Sequence, residues 1–300
     1  MSRASYRKFP LHVRRRTALS PGFVRMTLHG ASVARMATHA PDQRVKLFFP
    51  LGDGAMPALP DGDDWYARYR AMPADTRPPM RTYTIRALRP VQCEVDVDFV
   101  LHGDSGPASA WATRADVGDP VLMLAPDADF DGAPDGFEWR PPAGLRQLLL
   151  AGDETALPAI AGILETLADL PDPPRVVALL EVPDAADRLD LRAPRDAALH
   201  WLPRAAKGAT YGARLQSALR QLMPAASPSG APATDATPEI DLDTEILWER
   251  SAAGDHGFHA WIACESGAAM AMRRHLTGAV GIDRRAVACM GYWRLGRALD

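Results

Sequence analysis

The rhythm of the chain changes once, at a Pro-Pro-Ala-Gly break over residues 141–144, and that change restricts the fold more than any single motif. Before it, from residue 10 to about 140, short segments of alternating polarity are interrupted by Gly, Pro and Asp, the pattern of an antiparallel barrel or sandwich. After it, continuous apolar runs alternate with helical periodicity, the pattern of a parallel sheet wrapped by helices. At 300 residues, against about 150 per domain, the chain is long enough for two domains of different class, which we place at residues 1–143 and 144–300.

Within the first part, VKLFFP (45–50), TYTIRAL (82–88) and CEVDVDFVLH (93–102) are strand candidates, and Val24, Met26 and Leu28 share one face of another. In the 93–102 segment, Val95, Val97, Phe99 and Leu101 fall on one face and Asp96, Asp98 and His102 on the other. The Pro- and Asp-rich stretch 56–79 reads as a long surface excursion. In the second part, strands are expected at 145–152, 175–182, 198–202, 259–264 and 286–293, with helices over 155–170, 211–222 and 268–277. Residues 224–238 are low-complexity and read as a flexible loop.

Composition removes several function classes. A net charge of -3 supplies no attraction to phosphate backbones, so no nucleic-acid partner is expected. No 18-residue apolar stretch is present, so no membrane span is expected, and the N-terminal stretch lacks the apolar core of a secretory signal. Cys93, Cys264 and Cys289 are too scattered for a disulfide framework or a cysteine metal site, which fits a reducing, cytoplasmic setting. Asp255, His256 and His259 lack further converging ligands, so no metal site is expected. The chain has only three lysines, Lys8, Lys46 and Lys207, so each one is worth locating.

Generic signatures such as G-x-G-x-x-G, a Walker A loop, G-x-S-x-G and H-E-x-x-H are absent. Three less generic stretches remain. His102 to Trp111 follows a strand and opens a helix; Ser105 or Gly106 can cap it, Pro107 suits the first turn, and the free amides favour a phosphate. A Gly-Pro-rich turn with no ligand explains the same residues. Arg81-Thr82-Tyr83-Thr84 could pair a guanidinium with pyrophosphate and lay a ring on a planar cofactor, or simply be a solvated Arg beside a half-buried Tyr. Ala151 to Pro158 joins the first parallel strand to its helix, where Asp153, Glu154 and Thr155 could cap the helix or face a ligand at the strand's carboxyl end.

In this order and spacing, the three stretches resemble the siderophore-interacting protein family, flavin-dependent ferric-siderophore reductases of the ferredoxin-reductase superfamily. The likeness runs through VKLFFP, RTYTIR, DFVLHGDSGPASAWA, AGDETALPAI, LEVPDAAD and the closing GYWRLGR. It implies a six-stranded, antiparallel FAD-binding β-barrel followed by a parallel-sheet α/β domain for NADPH or NADH. FAD would be approached by Arg81, Thr82, Tyr83 and Thr84, with Arg81 toward its phosphates and Thr84 near its reactive nitrogen. Asp98, Phe99, Val100, His102, Gly106, Ala108, Ser109 and Trp111 match the phosphate-binding turn and its strand, the Ser109 hydroxyl as a donor. Asp153, Glu154, Thr155, Ala156, Glu265, Tyr292 and Trp293 match the cofactor-facing loops of the second domain.

The reaction so implied is hydride transfer to FAD and single-electron transfer to Fe(III) held by a siderophore, with release of Fe(II). Thr84, Lys46 and Arg294 are the candidates for catalysis, the two cations because ferric siderophores are commonly anionic. For Lys46, an edge-strand surface lysine is the plain alternative. Glu181 could contact the ribose of NADH; Arg204 and Lys207 could instead receive the phosphate of NADPH. Cys264 stands where the family commonly has Gly, and either approaches the nicotinamide or packs. The resemblance also admits a ferredoxin-like donor and a monomer, with a general ferric-chelate reductase or a non-catalytic siderophore-binding protein as the alternatives.

Overall fold

The computed structural model describes residues 4–52, 54–103, 106–204, 210–225, 246–252 and 257–296, and the chain divides into two compact units, residues 1–137 and 138–299. Most of the expected 224–238 loop, with Lys207, Asp255 and His256, lies outside the described residues.

The first unit contains β1 (Tyr6–Ser20), β2 (Phe23–His29), β3 (Arg44–Phe48), a short helix α1 (Trp65–Arg70), β4 (Met80–Thr84), β5 (Ala87–Arg89), β6 (Glu94–Val100), α2 (Pro107–Arg114) and β7 (Pro120–Pro126). The strands run antiparallel in the order β4-β3-β7-β1-β2-β6-β5. β4 and β5 stand at opposite ends of that order, yet only Ile85 and Arg86 separate them. Ile85 N–H donates to Gln43 O and Arg86 N–H to Asp96 O, so one interrupted strand reaches both ends of the sheet and curls it into a barrel. Counted as one, β4 and β5 give the six strands expected.

Alternation fills the interior: Phe9, Leu11, Val13, Met26, Leu28, Val95, Val97 and Phe99 are all fully buried. Each large apolar side chain so buried is worth about 1.5–3 kcal/mol. The opposite face of β6 is buried too, although its side chains are acidic. Asp98 is paired with Arg25 and Arg86, Asp96 with Arg89, and Glu94 with Arg14 and Arg89.

Residues 56–79 carry more structure than their composition predicts. Trp65, Tyr66 and Tyr69 project from α1, and Phe48 on β3 meets Trp65 and Tyr69 edge-on at 6.2 and 5.4 Å. Lys8 fastens the same excursion to β1 through Pro60 O and Asp61.

The second unit contains β8 (Gln147–Gly152), α3 (Leu157–Ala168), β9 (Arg175–Val182), β10 (Ala198–Pro203), α4 (Ala213–Leu222), β11 (Trp248–Glu249), β12 (Phe258–Glu265), α5 (Ser266–Arg274) and β13 (Val287–Trp293). Its sheet order is β10-β9-β8-β12-β13-β11, parallel except for β11. The strand order therefore reverses between β8 and β12. Chain crossovers leave from opposite sides there and open a crevice at the carboxyl ends. A Cβ at Gly152 would meet Ala156 Cβ and Ile160 Cδ1 at 2.7 Å, so glycine lets α3 close onto the sheet beside that crevice.

Candidate functional sites in the barrel and at the switch point

On β4, Arg81 and Tyr83 face one way and Thr82 and Thr84 the other. Tyr83 packs on Phe99 with ring centroids 4.4 Å apart, and Phe99 on Trp111 at 5.6 Å, linking β4, β6 and α2. Burial raises the Tyr83 phenol above its ordinary range, so it stays neutral at any physiological pH. Arg81 donates to Met80 O at 2.7 Å and has no carboxylate partner among the described residues, in contrast to the paired arginines of β5 and β2. Lys46 stands directly opposite Thr82 in the β3–β4 register, on the face that carries Thr84.

The turn into α2 is built by Ser109. Its hydroxyl accepts from His102 N–H at 3.0 Å and donates to Gly103 O at 2.7 Å, and Gly103 takes φ +74°. The proton expected to reach a phosphate is therefore directed into the turn. Gly106 caps α2 with Pro107 next, which leaves the Ala108 and Ser109 amides in a first turn where helix geometry provides no intrahelical acceptor. A Cβ at Gly103 or Gly106 would meet nothing within 4 Å, so a ligand has room against the backbone. Trp111 Nε1 is buried with no hydrogen-bond partner among the described residues. An unpaired guanidinium, free helix-start amides and an orphaned indole donor fit an anionic, planar cofactor. Asp98, Phe99 and Val100 turn their side chains elsewhere, Asp98 to its arginines and Phe99 into the core, so only backbone groups of this strand can meet a ligand.

In the second unit, the expected residues converge at the switch point. Asp153 is buried and accepts four hydrogen bonds: from Thr155 N–H at 2.9 Å and its hydroxyl at 2.5 Å, from Glu265 N–H at 2.9 Å, and from Trp293 Nε1 at 2.7 Å. It thus ties the ends of β8, β12 and β13. It does not cap α3, whose first residue follows Ala156 with no side-chain cap. Burial, then the neighbouring Glu154 carboxylate, push its carboxyl up to about 7 against these hydrogen bonds.

Glu154 and Glu181 converge on Arg204, which is 7% exposed. Arg204 forks onto Glu154 at 2.5 and 2.7 Å and donates to Glu181 Oε1 at 3.0 Å. Its guanidinium lies 4.2 Å over the Tyr211 ring, which meets Trp293 edge-on at 4.6 Å. Gly212, at φ +72°, donates its N–H to the same Glu181 oxygen at 2.8 Å. Sequence reasoning did not single out Tyr211 or Gly212; a Tyr-Gly pair at the start of α4, after a parallel strand, was the available signal.

Other candidates are placed differently. Tyr292 stacks on Trp248 at 5.9 Å and meets Trp261 edge-on, so it packs within the sheet's edge rather than beside Trp293. Glu265 caps α5 by accepting from Ala268 N–H at 3.0 Å. Ala156 is fully buried under α3, and Arg294 follows β13 half-buried. Cys264 is fully buried in the core of the second unit with Cys289, and burial raises its thiol, so it packs. His259, the described member of the weighed metal trio, is buried with Nδ1 3.1 Å from Ala286 O. Among the described residues no helix is long and apolar enough to cross a membrane.

Comparison with known proteins gives the same division. Residues 12–130 match the siderophore-interacting FAD-binding domain family, and residues 145–296 the siderophore-interacting protein family. The crystal structure of a siderophore utilization protein from T. fusca superposes with a TM-score of 0.73 at 29% identity, over 99% of this chain and 97% of that one. The ferric vibriobactin reductase of Vibrio cholerae is 30% identical over 196 residues, 63% of this chain and 64% of its own. An NADPH-dependent ferric-chelate reductase of Escherichia coli is 32% identical over 179 residues, 59% of this chain and 63% of its own.

Proposed function

This chain belongs to the siderophore-interacting protein family, and from that premise we propose that it is a flavin-dependent reductase of ferric siderophores, fed by a nicotinamide nucleotide. In this reading residues 1–143 hold FAD and residues 144–300 the nucleotide. The observation that carries it is the pairing, in one chain, of a cationic helix-start cradle on a barrel with a parallel sheet whose strand order reverses. FAD would accept two electrons as hydride and deliver them singly to Fe(III), which loosens a hard-oxygen chelate once Fe(II) forms.

The chain's own residues supply placement. Arg81 and the Ala108 and Ser109 amides hold the pyrophosphate, and Ser109 acts by fixing the turn. Tyr83, neutral and braced by Phe99, forms an apolar wall for the flavin ring. Thr84 lies along the same strand to orient it. Lys46 is the cation that the first unit offers an anionic ferric chelate, and Arg294 is the candidate on the second.

The test is anaerobic spectroscopy of the FAD-loaded protein. A flavin spectrum that bleaches with nucleotide and recovers on adding a ferric catecholate, while an Fe(II) trap colours, is the expected result. Failure to bind FAD, or a reduced flavin that does not reoxidise on the chelate, would overturn the proposal.

A further inference from the structure

We propose that the switch-point crevice takes a nicotinamide donor with a free ribose 2′-hydroxyl and rejects one with a 2′-phosphate, through Glu181 and its hold on Arg204. The inference rests on the nucleotide-binding reading above and names the donor.

Glu181 lies near the carboxyl end of β9, the position from which an acid meets adenine-ribose hydroxyls in sheets of this order. Its two oxygens are not equivalent. Oε1 is taken by Arg204 and the Gly212 N–H, whereas Oε2 is buried with no hydrogen-bond partner among the described residues, on a residue only 1% exposed. A buried acceptor in that state lacks a donor. A ribose 2′-hydroxyl brings one; a 2′-phosphate brings only acceptors and nearly two further negative charges.

Arg204 is the described cation placed to receive a phosphate, but three of its five N–H donors already hold carboxylates. Both Nη1 hydrogens are used, on Glu154 Oε2 and Glu181 Oε1, and Nη2 holds the other Glu154 oxygen, with Tyr211 across one face. Turning Arg204 toward a phosphate would strip two buried carboxylates of their shared cation. The cluster therefore opposes a 2′-phosphate twice, by charge and by the two buried carboxylates that already hold Arg204. This sets the chain apart from its NADPH-dependent relative in Escherichia coli.

Calorimetric titration of the FAD-loaded protein with NAD+ and with NADP+ tests this without turnover, and AMP against adenosine 2′,5′-bisphosphate repeats it on the adenosine half alone. Wild-type protein is expected to bind the unphosphorylated member of each pair at least tenfold more tightly. Glu181→Gln should narrow that ratio severalfold, and Glu154→Gln, which releases Arg204, should strengthen NADP+ binding. Equal or tighter binding of the 2′-phosphorylated members by wild type, whether or not Lys207→Ala abolishes it, would overturn the inference, as would no binding of any of the four. The wild-type ratio needs no variant to fold. Failure of the reductase reading is seen separately: dithionite-reduced protein that passes no electrons to a ferric catecholate sinks that reading and leaves the binding ratio standing.

Discussion

Two clusters of buried carboxylates in this protein are neutralised in opposite ways. On the barrel wall Glu94, Asp96 and Asp98 face four arginines, Arg14, Arg25, Arg86 and Arg89. At the switch point Glu154 and Glu181 share a single described arginine, Arg204, and Asp153 is held by neutral donors. The first arrangement is redundant: burial alone would raise Asp96, but hydrogen bonds from Arg89 and Thr27 hold its carboxyl below the ordinary range. The second is short of positive charge, and Asp153 moves the other way. A structural salt-bridge lattice can afford surplus cations, whereas a deficit at the mouth of a crevice leaves an unmet demand for donors that a ligand can supply.

The sharpest way to break this contrast is Arg204→Met. Removing the one described cation from between two buried glutamates should cost about 3–5 kcal/mol in urea denaturation, and a loss under 1 kcal/mol would mean the pair is not held as described. Next comes Gly212→Ala, which forces a left-handed backbone onto a side chain whose Cβ would sit 2.1 Å from Ala268 Cβ. About 2–4 kcal/mol is expected, against about 1 kcal/mol for Gly103→Ala, where φ is similar but the space is open. Equal melting temperatures for the two variants would remove the distinction.

The pH dependence separates the regions by sign. An unfolded Asp titrates near 4, and folded Asp153 near 7, so the folded state holds the extra proton between these values. Its contribution is full below about pH 4 and declines as pH rises toward 7. Asp96, held low, contributes in the opposite sense: its stabilisation is present above its unfolded pKa and disappears as pH falls through its folded one. Melting curves of Asp153→Asn across pH 4–7 should lose the decline that wild type shows over this window. Parallel curves would assign the slope elsewhere. Smallest is Arg25→Met, about 1 kcal/mol by thermal melting, because Asp98 keeps Arg86; a loss matching that of Arg204→Met would show that the wall is not redundant.

The contrast also marks what was legible in the sequence. Four of the five parallel strands announce themselves because they are nearly continuous apolar runs, and a strand buried on both faces can be little else; β10, exposed at Ala198 and His200, is the weaker signal. Val95, Val97 and Phe99 were legible for the related reason that a period of two needs only neighbours. The partners of Asp96 and Asp98 were not: their side of β6 reads as solvent-facing until β2 and β5 bring arginines across it. Glu154, Glu181 and Arg204 each stood out alone, as a helix-start acid and as rival ribose and phosphate ligands. Their union spans 23 and 50 residues and is created by strand order, which no local pattern encodes. In the 56–79 excursion, proline and aspartate masked a helix held by aromatic packing on Phe48, a case of tertiary contact overriding propensity.

The interrupted strand that joins both ends of the first sheet bears on how the protein behaves in concentrated solution. The hand-over from β4 to β5 leaves the curled first sheet only two short edges, of five and three residues, to offer a strand from another molecule. The second sheet stays open: β11 is two residues long, but β10 is a six-residue edge, paired on one side only and exposed at Ala198 and His200. Among the described residues β10 is the longest edge open to such association, with Pro203 and its missing N–H shortening the template at one end.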